Sequence, residues 1–90
     1  DWTRAESLYR AVLAADPDSL PAASHLGLLC RRTGRHADAE PLLRAASARA
    51  DERFGLGHSQ ATLHFANLFS LYEHWRRPDA GEAAARERLD

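Results

Sequence analysis

The chain has 90 residues, a net charge of −1 and one cysteine. A chain of that length buries about 60–65% of its unfolded surface, enough for one thin core and no deep enzyme pocket of its own. Ile is absent and Val occurs once, against 18 Ala and 13 Leu, so a β-fold is excluded and helix is favoured.

Punctuation predicts five helices. The first spans about Trp2 to Ala15 and stops at Asp16-Pro17-Asp18. Ser19 is placed to cap the second, which tolerates Pro21 in its first turn and runs to about Arg32. Gly34 suits a left-handed position just past its end. The third covers about Ala37 to Arg53, and Phe54-Gly55-Leu56-Gly57-His58 forms a turn. Ser59 is placed to cap the fourth, which reaches about Arg76, and Pro78 opens the fifth, ending near Leu89. Apolar spacing agrees: Ala5, Leu8, Tyr9, Val12 and Leu13 share one stripe, as do Phe65, Leu68, Leu71, Tyr72 and Trp75. Short loops imply antiparallel neighbours.

Charge and cysteine content narrow the function. All twelve basic residues are Arg, which reads as a base-composition bias. A charge of −1 gives no global attraction to nucleic acid or to an anionic membrane. No apolar run approaches the ~18–20 residues that span a bilayer. One cysteine, Cys30, allows no internal disulfide, so a reducing, cytoplasmic setting is expected. The chain opens on Asp1-Trp2 and not on Met, so it is expected to be a piece of something longer.

Internal repetition is present. Shifted by 34 residues, the first helix lands on the third, with Ala5/Ala39, Glu6/Glu40, Leu8/Leu42, Arg10/Arg44, Ala11/Ala45 and Ala14/Ala48 identical. Shifted by 42, the second and third fall on the fourth and fifth, matching Leu26/Leu68, Leu29/Leu71, Arg35/Arg77, Glu40/Glu82 and Arg44/Arg86.

These residues resemble the tetratricopeptide repeat, whose pattern is W-x2-L-G-x2-Y, then A-x3-F, then P. The central unit has Ala23-x2-Leu26-Gly27-x2-Cys30 and, later, Ala39-x3-Leu43. The first helix has Ala5-x3-Tyr9 and then Pro17, and the last unit has Phe65-x2-Leu68-Phe69-x2-Tyr72. The 42-residue spacing is similar to the longer repeats of the kinesin light chain type, common in large bacterial signalling proteins. The resemblance implies an all-α solenoid of stacked antiparallel helix pairs. Residues 1–18 would be the second helix of a partial repeat, and 19–53 and 58–90 two full repeats. Phe69 stands where the family has a small Gly, and Gly81 where it has Ala, so a volume swap is expected in which Phe69 fills room left by Gly81 and Ala85.

The resemblance also implies a non-catalytic scaffold that binds a peptide or partner helix on its concave face. Carried over, that face comprises Ser24, His25, Leu28, Arg31 and Arg32, then Leu63, Asn67, Ser70, Glu73 and His74. Family members often use an Asn at the Asn67 position to hydrogen-bond a ligand's backbone, since one amide donates and accepts together; the plainer reading is a solvated amide. Arg31 and Arg32 could fork onto a carboxylate, or simply close a helix in solvent. Trp2 and Trp75 read as packing residues.

Other chemistry finds no pattern. His25, His36, His58, His64 and His74 never stand four apart and no Cys-x2-Cys occurs, so no metal site is expected. Cys30 lies on an apolar stripe as a structural thiol. No strand precedes a Gly-rich loop, and no cofactor is implied. His58 matches a family histidine that caps the helix after it. The competing function is structural: solenoid ends pair into a homo-dimer, or the repeats regulate a larger signalling protein. The first helix is expected to show an apolar flank, and fewer than three repeats rarely stand alone.

Overall fold

The computed structural model describes residues 2–55 and 57–89; Leu56, within the expected turn, lies outside them. Five helices follow one another: α1 (Trp2–Ala15), α2 (Leu20–Arg32), α3 (His36–Phe54), α4 (Ser59–His74) and α5 (Pro78–Leu89). No strand occurs among the described residues. Each helix packs on the next, and α2 also packs on α4, the stacking of an all-α helical repeat.

The helix starts follow their capping chemistry. At α2, Ser19 Oγ accepts from the Ala22 amide at 3.4 Å. At α4 the sequence expectation for Ser59 is corrected. The cap is His58, whose Nδ1 accepts from the Gln60 amide at 3.1 Å, and Ser59 is the first helical residue. The imidazole stacks on Phe54 at 4.9 Å between ring centres, which holds it in place.

The ends of α2 and α4 share one geometry. Gly34 adopts φ +79°; its amide donates to the Arg31 carbonyl and the Arg35 amide to that of Cys30. Forty-two positions on, Arg76 adopts φ +59°, with its amide on the Glu73 carbonyl and the Arg77 amide on that of Tyr72. Both are the double hydrogen-bonded left-handed closure. That closure ends α4 at His74, two residues before the expected Arg76.

The core is thin and falls into two patches. Leu26, Leu29, Cys30, Ala39, Leu43, Leu68, Leu71, Tyr72 and Ala84 form its main body, with a second patch of Leu20, Ala23, Ala46, Ala50 and Ala61. Burial raises the pKa of the Cys30 thiol, which suits a packing role. Small residues set how closely the helices approach. A Cβ built on Gly27 would stand 2.6 Å from Leu43 Cδ2, whereas one on Gly81 would stand 3.2 Å from Phe69 Cε1. The large and small partners therefore exchange sides between the two helix pairs, with Phe69 lying against Gly81 as the sequence suggests.

Polar contacts repeat as well. Glu6 of α1 accepts from Arg10 Nε at 3.0 Å and takes two hydrogen bonds from Arg35, at 3.1 and 2.6 Å. The Arg35 bonds, and then those of Arg10, hold its carboxyl down at about 2. At the matching place in α3, Glu40 accepts from the Tyr72 hydroxyl at 2.7 Å, and Arg44 Nε donates to that hydroxyl at 3.1 Å. Tyr72 occupies the position that Cys30 holds one unit earlier, and only the longer side chain reaches the glutamate.

α1 differs from the others in having no fully buried residue. Leu8 is 64% and Val12 40% exposed. Trp2, expected as a packing residue, is 53% exposed at the edge of a shallow cleft and is corrected to a surface aromatic. Trp75 does pack: it stacks on His36 and lies under the Arg77 guanidinium at 4.4 Å.

Candidate functional site

A groove of about 490 Å³ runs between α2 and α4 and is closed at one end by the last turn of α3. The helical period places Leu20, Pro21, Ser24, His25 and Leu28 along the α2 side. Gln60, Leu63, His64 and Asn67 line the α4 side, and Arg53 and Phe54 come from α3. Its walls are largely apolar, with Leu63 52% exposed. Six polar side chains, Ser24, His25, Arg53, Gln60, His64 and Asn67, stand among those apolar walls, the composition of a recognition groove.

Asn67 is half-buried in this groove and its carboxamide has no hydrogen-bond partner among the described residues. One amide there offers a donor and an acceptor side by side, matching a peptide backbone. His25 stands at the rim. Its Nδ1–H donates to the Pro21 carbonyl at 2.6 Å and its ring stacks on Tyr9 at 5.5 Å, so the ring is fixed in one orientation.

Ser24 departs from expectation. It is buried, and its Oγ lies 2.6 Å from His64 Nδ1, so it orients the histidine across the helix interface and is not a free ligand contact. His64 is buried too, and desolvation of the imidazolium lowers its pKa below the ordinary 6.5.

The remaining expected residues lie elsewhere. Arg31 Nη1 donates to Ser70 Oγ at 2.8 Å, and His74 Nδ1–H donates to the Ser70 carbonyl at 2.8 Å. This trio bridges α2 and α4 beyond the groove. Arg32 lines a separate cleft of about 160 Å³ with Trp2, Ala5, Tyr9, His25, Leu28 and Leu29, so the basic pair is split. Of the ten residues carried over, His25, Leu28, Leu63 and Asn67 line the main groove with the buried Ser24; Arg31, Arg32, Ser70, Glu73 and His74 do not.

Sequence reasoning missed Gln60 and His64 as groove residues, although Gln60, His64 and Asn67 fall on one α4 face by their spacing. Arg53 and Phe54 had no such signal, because they reach the groove only through the packing of α3. No cluster of three His, Cys, Asp or Glu able to hold a metal occurs among the described residues, and no described helix is long and apolar enough to cross a membrane.

A family model described as tetratricopeptide repeat matches residues 1–59. No curated protein and no solved structure matches the chain.

Proposed function

The chain belongs to the tetratricopeptide repeat family, and from that premise we propose a non-catalytic protein–protein interaction module. Its working surface is the groove between α2 and α4, which holds an extended peptide or a partner helix. In this reading residues 1–18 supply the second helix of a partial repeat, and 19–53 and 58–90 supply two full repeats. The matching closures at Gly34 and Arg76, 42 positions apart, support that division.

The observation that carries the reading is Asn67, an unpaired carboxamide half-buried among apolar walls. Water reaches that carboxamide in the free protein, so its donor and acceptor are both open to a ligand's backbone. Leu28, Leu63 and Phe54 supply the apolar contact, and Asn67 fixes the backbone of the bound segment. A peptide selected on the wild-type protein from a random library should bind Asn67→Ala about tenfold more weakly, the scale of one or two lost hydrogen bonds. Circular dichroism of the variant should not change. Full affinity in Asn67→Ala would remove the assignment.

Self-association is a second reading, favoured by the exposed Leu8 and Val12 on α1. Light scattering that shows a monomer at every concentration would dismiss it.

A further inference from the structure

The groove's floor holds a group that helix packing does not explain. His64 is 8% exposed and uses Nδ1 on Ser24 Oγ. Nε2 has no protein partner among the described residues, yet no buried side-chain nitrogen or oxygen there is left unsatisfied. Nε2 therefore meets solvent, and His64 lines the groove. The charged and titratable groups lining that groove are His64 from α4, His25 from α2 and Arg53 from α3. No carboxylate lines it, and α1 and α5 contribute nothing to it. An apolar groove whose ionisable lining is all basic is complementary to an apolar segment that brings a negative charge.

Resting on the groove reading above, we propose that the partner is a protein segment of apolar side chains carrying one carboxylate, received at Nε2 of His64. In the free protein, desolvation disfavours the imidazolium. A carboxylate at Nε2 supplies the opposite charge that favours the cation, so binding draws one proton from solvent. The imidazolium then donates from Nε2 to the carboxylate and from Nδ1 to Ser24 Oγ. Binding of an acidic segment strengthens as pH falls, and binding of its neutral counterpart does not.

Two peptides test this, acetyl-Leu-Leu-Glu-Leu-amide and acetyl-Leu-Leu-Gln-Leu-amide, titrated into 15N-labelled protein. Both should shift the amides of Leu63 and Asn67. The Glu peptide should bind about tenfold more tightly at pH 5.5 than at pH 7.5, as one charge-assisted hydrogen bond allows, while the Gln peptide stays constant. His64→Gln should abolish the gain, and His36→Gln, which lies outside the groove against Trp75, should keep it. A wild-type readout covers the case in which His64→Gln fails to fold: the ring-nitrogen titration of His64 should move to higher pH with the Glu peptide and stay put with the Gln peptide. Equal pH responses of the two peptides, an unmoved His64 titration, or a gain retained in a folded His64→Gln would overturn the proposal. If neither peptide shifts Leu63 or Asn67, the groove reading fails first and the proposal falls with it.

Discussion

Gly27 is where the fold can be tested most sharply. A Cβ there would lie 2.6 Å from Leu43 Cδ2 and 2.7 Å from its Cγ, and Leu43 is fully buried. Relaxed carbon contacts sit at about 3.5–4.0 Å, so Gly27→Ala must displace the leucine or its helix by about 1 Å. Overpacking of that kind costs about 1–3 kcal/mol, and the better helix propensity of Ala returns about 1 kcal/mol. The net loss is therefore about 1 kcal/mol, a drop of about 4–8 °C in Tm for a domain of this size. Leu43→Ala alone should cost about 2–5 kcal/mol through its cavity. With that cavity open, the methyl added by Gly27→Ala has room and only the propensity gain remains, so the same substitution becomes stabilising by about 1 kcal/mol. Urea denaturation of the four proteins, followed by circular dichroism, measures the cycle. If Gly27→Ala costs the same in both backgrounds, close helix approach is not what Gly27 provides.

Three further outcomes follow from other contacts. Gly81→Leu should destabilise by about 1–3 kcal/mol, because Phe69 Cε1 already stands 3.2 Å from the Cβ position; an unchanged Tm would refute the volume swap. Arg76→Gly should stabilise by about 1 kcal/mol, since φ +59° is strained for Arg and free for Gly, and a lower Tm would count against the shared closure. Glu6, held at about 2 against an ordinary 4.5, contributes stability that is complete above pH 4.5 and lost as pH falls toward 2. Acid titration of Glu6→Gln should lack that limb; an unaltered acid transition would show that the pairing with Arg35 adds nothing.

Much of this was legible because it is local. Helix periodicity, Pro and Gly punctuation and the Ser19 cap depend on neighbours within four residues, and they placed all five helices nearly to the residue. The end of α4 was not legible, because Arg76 carries no sign of the left-handed conformation that Gly34 advertises. The volume swap was readable because Phe69 and Gly81 both depart in size from what the repeat pattern has at their positions. The groove was half readable. His25, Leu28 and Asn67 follow from the face of a helix, but which polar groups a neighbouring helix has already engaged does not. Ser24 is taken by His64, 40 positions away, and Arg31 by Ser70, 39 away. Arg53 and Phe54 enter only through tertiary packing of the α3 end.

The central claim is that a protein partner lies in the groove between α2 and α4. Chemical-shift mapping with a library-selected peptide tests it most directly. The account predicts the largest amide changes at His25, Leu28, Leu63 and Asn67, with α5 and the Leu8–Val12 stripe of α1 unmoved. Changes concentrated on α1 or α5, with those four residues silent, would contradict it.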